Sequence, residues 1–169
     1  QLSIVIGGRS VHAPMPTVGG FLKLPKIEDI KALKPKLIEI RPKVLKLIEI
    51  FAKDPSDFTL QTPVTYCGLS SDDFSFLEGL VKTSDGVTIQ EKDLETHLDA
   101  VIIPYSQARG FKFDGKFLMV GALARINNDK EKLHAKTKES VKKYLDPFPS
   151  HNLFHNNIAQ AIEVVHAID

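Results

Sequence analysis

The strongest constraint on the fold is a pattern of apolar residues over residues 27–53, where they recur at steps of three and four. This spacing places apolar side chains on one side of a helix, so it predicts an amphipathic α-helix. Pro35 and Pro42 interrupt the pattern, and a proline costs about 3 kcal/mol in a helix interior because it lacks a backbone donor. We therefore expect a kink or a break at these positions. The residues predicted to face the core are Leu37, Val44, Leu47, Ile48 and Phe51.

Two turn signals in the middle of the chain predict antiparallel hairpins. Asp85-Gly86 follows the short apolar run at residues 80–83, and Asp114-Gly115 separates residues 111–113 from residues 117–120. An Asp-Gly pair between runs of β-branched and aromatic residues favours a tight hairpin turn. The same region contains a further predicted strand and a short predicted helix, at residues 64–69 and 91–98.

Helical signals dominate the end of the chain. The candidate caps are Asn128 or Asp129 for a helix that runs to Tyr144, and Ser150 or Asn152 for a last helix. Together these patterns predict an α+β fold that is predominantly helical, with long amphipathic helices and a small antiparallel β insertion at about residues 64–120.

The length fits one domain or a piece of something larger. The sequence has 169 residues, begins with Gln1 rather than Met and ends just after a periodic apolar run. We therefore expect residues 1–169 to form a single internal portion of a longer polypeptide.

The composition excludes several classes of function and of binding site. The 22 Lys and Arg residues nearly balance the 21 Asp and Glu residues, which gives a formal net charge of +1. Such a balance argues against a surface for nucleic acid or for an acidic membrane. No apolar run approaches the ~20 residues needed to span a bilayer, so we expect no transmembrane segment. The single cysteine, Cys67, excludes an internal disulfide framework and a multi-thiolate metal site, and it favours a cytoplasmic setting.

The candidate functional residues lie in a shaped loop at residues 7–20. Glycine pairs at both ends and two prolines between them exclude a regular helix there. Arg9 and His12 lie three residues apart in this loop, and a cation and an imidazole on a rigid loop are suited to positioned chemistry. The alternative is that both residues only pin the loop to its surroundings. The glycines expected to shape the loop are Gly7, Gly8, Gly19 and Gly20.

For three further residues we prefer a structural interpretation. Cys67 lies in an apolar strand with no second cysteine, which is typical of a buried thiol rather than of a nucleophile. His151 and His155 have the i,i+4 spacing of helical zinc sites, but no third ligand is evident in the sequence.

Five stretches carry a resemblance to a known family. The first is Gly7-Gly8-Arg9-Ser10-Val11-His12 with Gly19-Gly20-Phe21 after it, which resembles the Gly-Gly-Arg-x-x-His-Pro stretch of nickel-iron hydrogenase large subunits. The resemblance is closest to the cytosolic group that includes sulfhydrogenases and the deazaflavin- or nicotinamide-linked enzymes. The four other matching stretches follow in the same order at residues 84–87, 104–108, 119–127 and 156–168.

The resemblance implies a reaction, a metal centre and a partner. Family members cleave dihydrogen reversibly and heterolytically at a nickel-iron centre, and electrons leave through an iron-sulfur small subunit. Arg9 and His12 then become candidates for residues beside that centre. The sequence departs from the family in two ways: Ala13 replaces the proline after the motif histidine, and the two Cys-x-x-Cys pairs that hold the metals are missing.

These departures predict that the chain by itself binds no nickel-iron centre and is inactive. A fragment without the segments that normally cover it is also expected to self-associate. The alternative is a scaffold relative without metal, such as the hydrogenase-related subunit of respiratory complex I. Cys-x-x-Cys pairs on both sides of the chain would favour the enzyme, and their absence would favour the scaffold.

Overall fold

The fold is described from a computed structural model, for residues 1–53, 59–61 and 64–169. It divides into two compact units, one formed mainly by residues 1–43 and the other mainly by residues 44–169. Helix α3, Lys34–Ala52, contributes its first half to the first unit and its second half to the second unit. No helix of the described ranges is long and apolar enough to cross a bilayer.

The first unit consists of short elements. Helix α1 is Leu2–Gly7, strands β1 and β2 are Pro16–Thr17 and Gly20–Phe21, and helix α2 is Ile27–Lys31. The two strands pair in an antiparallel ladder, with Pro16 opposite Phe21.

The helix predicted at residues 27–53 is broken once. Helix α2 ends at Lys31 and α3 begins at Lys34, so Pro35 occupies the first turn of α3, where no backbone donor is needed. At Pro42 there is no break, because α3 continues through it. Ile38, whose carbonyl loses its helical partner there, is 61% exposed, so water can bond that carbonyl instead.

The buried side of α3 is narrower than predicted. Val44 and Ile48 are buried, as expected from their spacing of one turn. Leu37 is half-buried. The prediction was wrong for Leu47 and Phe51, which are 38% and 36% exposed.

The second unit is built around a six-stranded sheet. Its strands are β3 Thr65–Ser70, β4 Leu80–Thr83, β5 Thr88–Ile89, β6 Leu98–Val101, β7 Gly110–Phe113 and β8 Lys116–Met119. Their order is β5-β4-β3-β8-β7-β6. Both predicted hairpins are confirmed, because β4 pairs with β5 and β7 pairs with β8 in antiparallel ladders.

The sequence-based fold class was wrong. Helix accounts for 44% and strand for 19% of the described residues, and the sheet is mixed rather than a small antiparallel insertion. The two hairpins join through a parallel ladder of β3 and β8, in which Thr65 lies opposite Leu118. Local turn signals cannot reveal a pairing between residues that distant in sequence. Strand β6, which begins at Leu98, was not predicted. The helix predicted at residues 91–98 is a 3₁₀ helix that ends at His97.

The last third of the chain holds three α-helices. They are α4 Ala122–Asp129, α5 Ala135–Val141 and α6 His155–Ile168, with 3₁₀ turns at Lys130–Lys132 and Lys142–Tyr144. The helix predicted from Asn128 or Asp129 to Tyr144 is divided into two 3₁₀ turns and α5. Asp129 precedes the first turn without a side-chain capping bond, and the second turn ends at Tyr144 as predicted. The side chain of Asn128 bonds strand carbonyls instead of capping a helix.

The sheet has a core on each face. On one face Cys67, Val81 and Phe113 form a buried cluster. On the other face α4 packs on β3, and Gly68 permits this approach because a Cβ there would lie 3.2 Å from Cγ of Arg125. The fully buried apolar residues of helices α4 to α6 are Leu123, Ala124, Ile126, Val141, Ala159, Ile162 and Val165.

Candidate functional site

The structure brings Arg9 and His12 together in one exposed loop after α1. Nε of Arg9 donates a hydrogen bond of 2.7 Å to the backbone carbonyl of His12. His12 has φ +52°, a left-handed conformation that is uncommon for residues other than glycine. The guanidinium of Arg9 therefore holds the loop in shape, while the imidazole of His12 does not take part in this contact.

Two of the loop glycines, Gly7 and Gly8, are placed where a side chain would not fit. A Cβ on Gly7 would lie 2.5 Å from Cβ of Ala13, so the two arms of the loop touch at that point. Gly8 caps α1 at φ +88°, and its N–H donates to the carbonyl of Ile4. Gly19 lies in the turn between β1 and β2, and Gly20 is the first residue of β2, opposite Thr17.

A cavity of about 420 Å³ lies beside this loop, but neither Arg9 nor His12 lines it. Its charged groups are Lys23, Lys26 and Asp29. The other lining residues are Ile4, Val5, Gly8, Met15, Leu24 and Pro25. The structure thus places the two predicted site residues together, yet outside this cavity.

A second set of polar contacts, which sequence reasoning missed, surrounds α4. Arg125 donates two hydrogen bonds to the carboxylate of Glu163, at 2.7 and 2.8 Å, and its guanidinium lies over the ring of Phe76 at 5.2 Å. The side chains of Arg125 and Glu163 are 27% and 11% exposed. This pair joins α4 to α6 in a largely desolvated setting.

The asparagines of α4 bind backbone groups of other elements. Asn127 exchanges two hydrogen bonds of 2.8 Å with the backbone of Ser150. Asn128 donates to the carbonyls of Tyr66 and Lys82. Asn156 of α6 accepts from the N–H of Leu123, an N–H that the first turn of α4 leaves unpaired.

Asp129 anchors the end of α4. Its carboxylate is 3.0 Å from Nζ of Lys82 and 3.3 Å from Nζ of Lys132. Burial by itself would raise the pKa of this carboxyl. Hydrogen bonds from Ser70 and Lys82 and the charges of the two lysines outweigh that effect, so the pKa is lowered.

The hairpin turn at residues 84–87 has a similar structural role. Oγ of Ser84 accepts a hydrogen bond of 3.0 Å from the N–H of Tyr66. Asp85 binds Lys116 of the neighbouring hairpin, and this hydrogen bond, together with one from Thr83, lowers the pKa of the Asp85 carboxyl. Three of the five stretches that resemble the hydrogenase family, at residues 84–87, 119–127 and 156–168, therefore contribute hydrogen bonds that connect the sheet, α4 and α6.

The residues of this chain do not fit as ligands of a nickel-iron centre. Cys67 is 5% exposed, and burial together with the charge of Asp85 raises the pKa of its thiol. A raised pKa disfavours the thiolate that a metal requires. Within residues 1–53, 59–61 and 64–169 no group of three or more His, Cys, Asp or Glu residues is placed to hold a metal ion.

The two histidines with i,i+4 spacing do not form a helical pair. Helix α6 begins at His155, so His151 lies before it and its ring contacts Tyr66 at 5.5 Å between centroids. Nδ1 of His155 is instead 2.7 Å from Oγ of Ser150. The structural interpretation of His155 as part of a helix start is consistent with this contact.

His155 should make the stability of the chain depend on pH. Burial lowers the pKa of this histidine, because the charged ring would lose its hydration. Its contribution to stability is therefore present above the unfolded pKa of ~6.5 and is lost as pH falls through the lower folded pKa. We expect the free energy of unfolding, measured by urea denaturation between about pH 7.5 and 5, to fall less steeply in His155→Gln than in the unmodified chain. Equal slopes in both proteins would contradict this.

Comparison with known proteins identifies two proteins that are similar to this chain. No model of a known protein family matches it. It is 29% identical over 167 residues to the sulfhydrogenase 1 alpha subunit of Pyrococcus furiosus, and 24% identical over 165 residues to the sulfhydrogenase 2 alpha subunit of the same organism. Each alignment covers 98% of the chain, which spans only 39% and 38% of the two relatives. The resemblance to nickel-iron hydrogenase large subunits is thereby confirmed: along nearly its whole length, this chain is similar to part of a sulfhydrogenase alpha subunit.

Proposed function

We propose that the chain is a portion of the large subunit of a nickel-iron hydrogenase, and that the whole protein cleaves dihydrogen reversibly and heterolytically. The observation that carries this proposal is the similarity to two sulfhydrogenase alpha subunits over 98% of the chain. The same observation favours the hydrogenase over a scaffold relative without metal, because both relatives bear the name of an enzyme.

In this proposal the described residues support the metal centre without binding it. The thiolate ligands come from other segments of the subunit, since Cys67 is the only cysteine of the chain and is buried. The hydrogen-bonded assembly of sheet, α4 and α6 provides a rigid body against which those segments pack. Exposed apolar residues such as Leu22 and Leu24, at 73% and 74%, are suited to contact with them or with a second copy.

The proposal includes an iron-sulfur small subunit as partner and the cytoplasm as location. Electrons released from dihydrogen need an acceptor, and the large subunit as proposed holds none beyond its metal centre. The single free cysteine supports a reducing compartment.

Activity of the whole protein tests the proposal. The coding sequence around this chain should supply a Cys-x-x-Cys pair on each side, and the complete subunit, purified with its partner, should reduce a viologen dye under hydrogen. The 169-residue chain by itself should not. A complete subunit that lacks both pairs and shows no hydrogen-dependent dye reduction would refute the hydrogenase assignment.

For the loop, we propose that Arg9 sets the backbone and that His12 contributes chemistry next to the metal centre. The guanidinium contact to the carbonyl of His12 supports the first part, and the imidazole left out of that contact supports the second. His12→Asn in the complete enzyme is the sharpest test, because Asn tolerates a positive φ where Ala would add strain.

The expected result for His12→Asn is a fall in turnover of about 100-fold or more, the usual contribution of a proton-transfer group, with metal content and melting temperature preserved. Ser10→Ala in the same loop serves as the control and should retain turnover. Unchanged turnover in His12→Asn would remove the imidazole from the mechanism, and lost metal would assign it a structural role.

A further inference from the structure

The six-stranded sheet has one edge that is open to a further strand. Strand β5 ends the sheet on one side with only two residues, a length that protects an edge from pairing. Strand β6 ends it on the other side with four residues, and among the strands that the structure describes it pairs with β7 alone. Ile102, the residue after β6, is 91% exposed. The edge at β6 is therefore long enough and accessible enough to receive another strand.

The backbone of β6 faces β7 and the open edge at alternate residues. The N–H of Asp114 donates a hydrogen bond of 2.9 Å to the carbonyl of His97, and the register of Leu98 with Phe113 makes the two residues an opposed pair. In an antiparallel ladder, bonded pairs of this kind alternate with pairs whose backbone groups point away from each other. The backbone groups of Leu98 and Ala100 therefore point to the open edge.

Most of the backbone groups at this edge are unpaired. The N–H of Leu98 is bonded to the carbonyl of Glu95, at the end of the preceding 3₁₀ helix. Ile102, two residues beyond Ala100, points the same way in an extended continuation of the strand. For the carbonyl of Leu98 and both backbone groups of Ala100 and Ile102, no partner is found in the part of the chain that the structure describes. A row of free donors and acceptors is a template for another β-strand.

The side chains along β6 do not protect this edge. The strand contains neither proline nor lysine, the residues that commonly block pairing. Its one charge, Asp99, lies opposite Lys112 in the ladder and accepts a hydrogen bond of 3.2 Å from the N–H of Gly115. On the other face Phe111, opposite Ala100, is 45% exposed. Apolar surface therefore adjoins the edge, and its charge is balanced within the chain.

We propose that two copies of this chain pair β6 with β6 in an antiparallel ladder centred on Ala100. In this register Leu98 lies opposite Ile102 of the second copy, so the free carbonyl of Leu98 accepts from the free N–H of Ile102. Asp99 lies opposite Val101, so no like charges face each other. Pairing also covers the exposed side chain of Ile102, because the opposing Leu98 packs on the buried cluster of the sheet.

The neighbouring registers are less favourable. Centring the ladder on Asp99 places two carboxylates directly opposite each other. Centring it on Val101 places Leu98 opposite Pro104, which has no N–H for the free carbonyl of Leu98. A ladder of five residues is short beside the roughly 20 to 30 residues that each partner contributes to a standard interface, so we expect a weak dimer. The inference concerns this chain and does not rest on the proposed function.

Sedimentation equilibrium of the 169-residue chain over a range of concentrations tests the proposal. We expect an equilibrium between monomer and dimer. Ala100→Lys places two like charges opposite each other and should raise the dissociation constant about 10-fold or more, and Ala100→Glu should do the same. An equimolar mixture of the two variants should dimerise again, because unlike charges then face each other.

Hydrogen exchange of the backbone amides locates the contact. The N–H groups of Ala100 and Ile102 are free in the monomer and bonded in the dimer, so their protection should increase with protein concentration. The N–H of Leu98 is bonded in both states and should show no such dependence. Protection that rises at other amides but not at Ala100 and Ile102 would contradict the proposed ladder.

Leu24→Lys is the matched control, because Leu24 is 74% exposed on a different apolar surface and its substitution should leave the dissociation constant unchanged. Ile102→Lys, at a position that is 91% exposed, should weaken the dimer and keeps the proposal testable if the Ala100 variants do not fold. The proposal is overturned if the chain stays monomeric at millimolar concentration. It is also overturned if Leu24→Lys abolishes association while Ile102→Lys, folded by circular dichroism, retains it.

Discussion

Ile48→Ala is expected to lower the free energy of unfolding by about 2 to 5 kcal/mol, the usual range for truncating a fully buried aliphatic side chain. Ile48 is 0% exposed, so the substitution removes apolar contacts and leaves a cavity. Urea denaturation followed by circular dichroism measures the change.

Leu47→Ala provides a matched control at the adjacent position of the same helix. Leu47 is 38% exposed, so its truncation should change the free energy of unfolding by less than about 1 kcal/mol. Both variants place alanine in α3, so helix propensity cannot explain the difference between them. Equal effects of the two variants would show that the buried side of α3 has been assigned wrongly.

Arg125→Ala is expected to have an effect of similar size, about 3 kcal/mol, because it leaves the carboxylate of Glu163 desolvated without its partner. The substitution also removes the contact of the guanidinium with Phe76. The same denaturation experiment measures it, and a loss of less than about 1 kcal/mol would mean that water reaches Glu163 freely.

The double variant Arg125→Met with Glu163→Leu separates the charge from the packing. Replacing both members of a buried pair with apolar residues of similar volume is often neutral. We therefore expect the double variant to be clearly more stable than Arg125→Ala. A double variant as unstable as the single one would show that packing around Arg125, rather than the unpaired carboxylate, causes the loss.

Local signals in the sequence were sufficient for part of the fold. The Asp85-Gly86 and Asp114-Gly115 turns were correctly placed, because a tight turn depends on the backbone freedom of two adjacent residues. The break before Pro35 follows from the missing donor of proline in the same local way. The resemblance to hydrogenase large subunits also needed the sequence alone, since it rests on short stretches in a fixed order.

Other features depend on contacts between distant residues, which only the tertiary structure decides. The parallel ladder of β3 and β8 turns two hairpins into one mixed sheet, and no turn signal indicates it. Which side of α3 is buried depends on what packs against it, so periodicity did not distinguish Ile48 from Leu47.

The candidate residues also divide into those that the sequence indicates and those that only the tertiary structure reveals. The sequence marked Arg9 and His12 by their place in a glycine-bounded loop, and only the structure showed that the guanidinium binds the carbonyl of His12. The pair of Arg125 with Glu163 joins residues 38 positions apart. Sequence alone determines local conformation because it acts through neighbouring residues, whereas such pairs form only when the fold brings remote side chains within hydrogen-bonding distance.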